Sequence, residues 1–211
     1  MFKIFKKTAA YAVAVGAVLA STQAFAVYTV NINQVGPDVV ATGSGTLNVS
    51  GLGAGTTGGL TTSVKGYVNP SSPTFGLHAD GSIPARSWAG AVSNSGPLGS
   101  GVLKFADTGT GDLVQVSTGG NLMLATTYVS GAALNSSETW NAATFTTLGL
   151  TPGTYTFSFG AAPNADNIIV NVIAAPVTAT NVPTLTQYAL LLLAGLMAFF
   201  GVSTVRKRGL F

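Results

Sequence analysis

Cysteine is absent from the 211 residues. That removes disulfide staples, thiol nucleophiles and Cys-based metal centres together. Histidine and glutamate occur once each, as His78 and Glu138. A Ser-His-Asp triad would have to use His78, with Asp80 two residues on. No Gly-x-Ser-x-Gly turn leads into a helix to carry the serine. Paired carboxylates for glycoside hydrolysis would have to draw on Glu138 and five scattered aspartates, most of them in Gly-rich turns where Asp is favoured for local hydrogen bonding. The sequence therefore predicts no catalytic centre, and it places His78 in an exposed loop between Pro73 and Pro84.

Charge is also scarce, at 7% of residues. The formal net charge of +3 hints at an anionic partner, but the distribution removes it. Six of the nine basic residues are Lys3, Lys6, Lys7, Arg206, Lys207 and Arg208, at the two ends. Between them stand Lys65, Arg86 and Lys104 against Asp38, Asp80, Asp107, Asp112, Glu138 and Asp166, a balance of −3. With no basic patch, nucleic acid has no electrostatic footing.

What is present begins with an export signal. Lys3, Lys6 and Lys7 form a positive region, residues 9–20 an apolar stretch, and Ala24-Phe25-Ala26 an A-x-A cleavage site. Residues 1–26 read as a signal peptide, with the mature chain starting at Val27. An uncleaved anchor helix is the competing reading. At the other end the sequence has no charge between Asp166 and Arg206. Residues 188–205 form an apolar run whose helical length, roughly 27 Å, approaches the hydrocarbon thickness. Arg206-Lys207-Arg208 after it is a cytoplasmic stop signal. A buried core helix is the alternative, disfavoured by the lack of a polar face.

Just ahead of that run stands Val182-Pro183-Thr184-Leu185. This motif, the span and the basic cluster resemble the IPTL-CTERM sorting signal of Gram-negative bacteria, a relative of the PEP-CTERM signal read by exosortases. Val182 replaces the usual Ile, and Thr186-Gln187-Tyr188 stands where the family has Ser-Glu-Trp. The resemblance implies that an exosortase-like membrane enzyme recognises residues 182–185 and cuts near them. It also implies Sec export machinery and signal peptidase as partners, and membrane lipid as at least a transient one. The expected location is across the inner membrane on a single-pass C-terminal anchor, then the cell surface or extracellular matrix.

Residues 27–173 read as one all-β domain, with 174–181 as an extended linker. Helical periodicity is missing, and short period-2 runs are separated by Gly, Pro, Asn and Asp. Tyr28, Val30 and Ile32 share one face. Gly36-Pro37-Asp38 turns the chain, and Ala41, Gly43, Gly45, Leu47 and Val49 share the face of a second strand. A third strand is expected over residues 60–68, and shorter ones at 75–77, 88–92, 102–106, 113–117 and 121–128. The clearest pair sets Tyr155, Phe157 and Phe159 against Ile168, Val170 and Val172, an aromatic row opposite a β-branched one. A single antiparallel β-sandwich, jelly-roll-like, is the expected fold. The runs at 39–52, 128–134, 144–160 and 165–167 are similar to those of exported proteins bearing PEP-CTERM signals, a likeness that brings no activity with it.

Other patterns are weaker. Gly53-Ala54-Gly55-Thr56-Thr57-Gly58 fits G-x-G-x-x-G in letters, but a strand rather than a helix is expected after it. Asp107-Thr108-Gly109-Thr110-Gly111-Asp112 offers two carboxylates to Ca²⁺, where six or more ligands are needed. The sequons at Asn48 and Asn135 are assigned no modification. Trp88, Trp140 and Tyr67 could form an aromatic platform for exopolysaccharide, against their commoner use in a core. No cofactor or metal is expected. The reading is of an exported surface or matrix protein without catalysis of its own. A carbohydrate-binding module is the alternative, and a secreted hydrolase a more distant one.

Overall fold

The computed structural model describes residues 27–57, 60–174 and 185–208. The signal peptide, its Ala24-Phe25-Ala26 cleavage site and motif residues 182–184 lie outside the described residues. The chain divides into two compact units, Met1–Ala175 and Pro176–Phe211.

In the first unit, β1 (Val27–Val35) and β2 (Asp38–Thr46) form the expected hairpin, paired from Tyr28 with Gly45 to Val35 with Asp38. Gly36, at φ +59, is the first of the two loop residues, where a II′ turn requires positive φ. Tyr28, Val30 and Ile32 are buried, as their alternation predicts. The strand expected over 60–68 is shortened to β3 (Tyr67–Asn69). Upstream of it, side chains take over ladder positions. Thr62 N–H donates to Ile83 O, but the return bond from Ile83 N–H goes to the Thr62 hydroxyl, and Ser63 Oγ donates to Lys65 O at 2.6 Å. Among the described residues of this stretch only the isolated bridges Thr56–Ser87 and Thr61–Pro84 remain.

Next come β4 (Thr74–Leu77), β5 (Ala85–Trp88), β6 (Val92–Asn94), β7 (Lys104–Phe105), β8 (Thr108–Gly111), β9 (Val114–Ser117) and β10 (Asn121–Ala125). The 88–92 expectation is broken by a turn at Gly90. Two elements were not legible in sequence: β8, and the eight-residue β11 (Ala133–Trp140). A one-turn helix, α1 (Phe145–Leu148), corrects the expectation of a helix-free domain. Thr144 and Thr147 build its capping box, each hydroxyl accepting the other's backbone N–H at 3.1 and 2.8 Å. β12 (Gly153–Phe159) and β13 (Asp166–Ile173) close the domain.

The strands form two sheets. The first has seven, in the order β6-β12-β13-β1-β2-β11-β8, and the second six, in the order β5-β10-β9-β4-β3-β7. Tyr155 and Phe157 stand opposite Val170 and Ile168, the predicted match. One pairing corrects the all-antiparallel expectation: β1 and β13 run parallel, Val27 beside Asn167 through Asn33 beside Ile173. One hydrophobic core takes side chains from both sheets. Phe75 of the second meets Phe157 of the first edge to face, ring centroids 5.3 Å apart.

The second unit contains α2 (Leu185–Arg208), of 24 residues. Its side chains are described from Tyr188 to Val202, all exposed. Among the described residues no helix is long and apolar enough to cross a membrane. The membrane span expected at 188–205 is therefore not supported by the described residues.

Candidate functional site

The alternation along β11 puts Leu134, Ser136, Glu138 and Trp140 on its buried face. Two of these four are polar, so the core receives a hydroxyl and a carboxyl side by side. Ser136 Oγ bonds the Tyr28 hydroxyl at 2.5 Å. Glu138 has no exposed surface. Its Oε1 accepts the backbone N–H of His78 at 2.7 Å, and its Oε2 has no hydrogen-bond partner among the described residues.

Two glycines make room for this carboxyl. A Cβ on Gly66 would lie 2.2 Å from Glu138 Cδ, and one on Gly109 would lie 2.4 Å from Oε2 and from His78 O. Any side chain at either position would collide with it. Burial pushes the carboxyl up to about 8; the His78 N–H bond pulls the other way, nearby Asp80 adds to the rise and Lys65 opposes it.

His78 corrects the expectation of an exposed loop residue, for it is fully buried just after β4. Its Nδ1 lies 2.7 Å from Ala79 O. A carbonyl only accepts, so Nδ1 carries the proton. Nε2 has no partner among the described residues. The lone His and the lone Glu are thus brought together, although nothing in their sequence spacing shows it. Neither side chain has exposed surface, so neither touches a substrate in this form.

The aspartates are also committed. Asp38 Oδ1 accepts Ala142 N–H, Asp107 Oδ2 accepts Asn141 N–H, and Asp112 Oδ2 accepts Asn135 N–H, at 2.7 to 2.8 Å. Asp80 Oδ1 accepts Gly109 N–H at 2.8 Å while Oδ2 pairs with Lys65 Nζ at 2.5 Å. The hydrogen bond from Lys65 is the main cause that holds the Asp80 carboxyl below the usual carboxylate range. Asp166 starts β13 instead of sitting in a turn, nearly fully buried, and accepts Asn48 and Asn167 N–H at 2.6 and 2.7 Å. Burial raises its pKa. Each of the six carboxylates therefore holds at least one backbone N–H, in every case from a residue 23 or more positions away rather than through the local turn bond expected of the aspartates.

The acidic loop at 107–112 contains β8. Five residue steps through the strand set its two carboxylates roughly 16 Å apart along the chain, too far to share one ion. Among the described residues no group of three or more His, Asp or Glu could hold a metal. The tryptophan platform is overturned. Trp88 and Trp140 are 6% and 4% exposed, and their Nε1–H groups donate to Gly53 O and Lys104 O. Both indoles are core residues tied down by their polar edge. Tyr67 is half-buried on the other side of the second sheet.

Of the targeting residues, Val27 opens β1, Leu185 opens α2, and Arg206-Lys207-Arg208 end it as helical backbone. The IPTL-CTERM motif matches residues 180–207. That covers the Val182-Pro183-Thr184-Leu185 motif, the apolar run and the first two basic residues after it. No curated protein and no solved structure matches the chain.

Proposed function

We infer that this chain is an exported envelope protein and the substrate of a C-terminal sorting system, with no catalysis of its own. The match of residues 180–207 to the IPTL-CTERM motif carries the reading. In it, residues 1–26 direct export and are removed by signal peptidase. Residues 27–173 form a β-sandwich outside the membrane, jelly-roll-like in its two-sheet arrangement, and 174–181 tether it. Residues 188–205 cross the membrane, with Arg206-Lys207-Arg208 held on the cytoplasmic side. An exosortase-like enzyme then reads Val182-Pro183-Thr184-Leu185 and releases or re-anchors the domain at the surface or in the matrix.

Two observations support this. The described side chains of α2 are apolar and exposed all round, a surface that a helix keeps only against lipid or a partner. The six carboxylates of the domain hold backbone, which favours a structural role over hydrolysis.

Mass spectrometry of the mature protein tests the reading. Processing predicts a new C-terminus near Leu185 in the surface or secreted pool. An intact peptide covering Leu190 to Arg206 in that pool would sink it.

A further inference from the structure

The outer side of β8 is closed by something other than a strand. β8 ends the seven-stranded sheet, with β11 as its one neighbour there. An edge of that kind offers a row of backbone donors and acceptors to any chain able to pair with it. Gly109 turns both its N–H and its carbonyl away from β11, and Gly111 turns its carbonyl the same way. All three groups are met by residues 79–80, just past the end of β4. Ala79 N–H donates to Gly111 O at 3.1 Å, and Asp80 N–H to Gly109 O at 3.0 Å.

These two bonds come from successive residues. In a true ladder only alternate residues bond to a given neighbour, so residues 79–80 cross the edge and do not extend the sheet. A strand lying there would also offer Gly109 N–H a backbone carbonyl. That N–H meets Asp80 Oδ1 instead, at 2.8 Å. Lys65 completes the row. Its Nζ donates to Asp107 O at 2.6 Å, just before β8, and pairs with Asp80 Oδ2. Lys65 and Asp80 are the only ion pair among the described residues. The two side chains stand in for the donor and acceptor of a missing strand.

The closure is held from both sides. Inside, the fully buried Glu138 accepts the N–H of His78, the residue before Ala79. Outside, the hold is the ion pair, whose side chains are 35% and 40% exposed. Salt therefore weakens the outer tie and leaves the inner one alone.

Opening would uncover an edge that fits itself. Gly109 offers one donor and one acceptor side by side, and Thr108–Gly111 carries no charge. Two such edges, antiparallel about a two-fold axis, supply each other's partners. The occupant this edge selects is a second copy of the same chain.

We propose that Lys65, Asp80 and the segment they pin form a charge-held latch over the β8 edge, and that opening the latch lets two copies of the chain pair through β8. The inference concerns the β-domain and does not depend on the sorting reading.

Amide exchange and sedimentation of the full chain in detergent test it together. In dilute Asp80→Ala the Gly109 amide should exchange on the order of tenfold faster than in the parent, because its acceptor is gone. Concentrating that variant should move its sedimenting mass toward the dimer and slow Gly109 exchange again. Lys65→Met, which keeps the carboxylate but removes its anchor, should show both effects more weakly. Raising sodium chloride from about 0.05 to about 1 M should speed Gly109 exchange about threefold in the parent and leave Lys65→Met unchanged, since only the parent has an ion pair to screen. Val129→Ser, at an exposed residue outside β8 and the latch, should match the parent throughout. The proposal falls if Asp80→Ala keeps the parent's Gly109 exchange, or stays single at every concentration. Equal association of the parent or of Val129→Ser would also overturn it, since the uncovered edge would then not be what joins the copies. The salt series reads the parent itself, so it decides even where a variant fails to fold: a Gly109 amide indifferent to salt overturns the latch.

Discussion

Glu138 and His78 are joined across the core by one hydrogen bond, from the backbone N–H of His78 to Glu138 Oε1, 2.7 Å long and spanning 60 positions of sequence. It ties β11 of the first sheet to the end of β4 in the second. The link is made by a carboxyl that burial keeps in its protonated form through neutrality.

The pH dependence follows from that protonation. The folded-state pKa of Glu138 lies at about 8, above its ordinary value of 4.5. Its contribution to stability is fully present below pH 4.5 and is lost as pH rises through 8. The groups facing it are His78, Asp80, Lys65 and the Tyr28 hydroxyl. Thermal melts should show the domain losing on the order of a few kcal/mol between pH 5 and 9. Glu138→Gln should flatten that slope; an equal slope in the variant would refute the assignment.

Gly66 exists to make room for one side chain. Gly66→Ala puts a Cβ within 2.5 Å of three Glu138 atoms and nothing else at that range. It should destabilise the domain by about 2–3 kcal/mol, as overpacking does. Glu138→Ala should also be costly. The double variant should recover about 1–2 kcal/mol relative to the sum of the singles, a coupling readable in a urea-denaturation cycle. Strict additivity would mean that the two residues do not meet.

The inter-sheet contact of Phe75 with Phe157 sets the core. Phe157 has no exposed surface, so Phe157→Ala should cost about 3–5 kcal/mol in chemical denaturation. Phe105→Ala, at an exposed ring, should cost under about 1 kcal/mol. Similar losses at the two positions would contradict the assignment of faces.

Asp166 fastens a loop to the last strand. Its carboxyl holds the Asn48 and Asn167 N–H groups. Asp166→Ala should cost about 2–3 kcal/mol and raise amide exchange at Asn48, because a buried donor loses its acceptor. Exchange at Asn48 unchanged from the parent would show that another group serves it.

The parts that sequence made legible are those where period and chemistry agree. The β1–β2 hairpin alternates cleanly about a Gly-Pro turn, and β12–β13 opposes aromatics to branched aliphatics. β11 failed the same test because its inward row is Leu134, Ser136, Glu138 and Trp140. A half-polar row looks like loop, although it is a central strand. β8 is Thr-Gly-Thr-Gly, with no apolar period to find. The 60–68 run has the right alternation, but hydroxyls of Thr62 and Ser63 capture backbone groups that a ladder would need. The pairing of His78 with Glu138, and the closing of the β8 edge by Lys65 and Asp80, depend on which strands become neighbours. That information is global, and spacing along the chain does not contain it.

The parallel pairing of β1 with β13 has a consequence for the export proposed above. The middle of the seven-stranded sheet joins the first and last strands of the domain, Val27 beside Asn167. Until Asp166–Ile173 has emerged, β1 lacks its neighbour on one side and the sheet is open down its centre. A chain leaving a narrow channel from its amino end therefore cannot close this sheet prematurely and jam. The domain completes itself only when nearly all of it is outside, just as the C-terminal segment arrives.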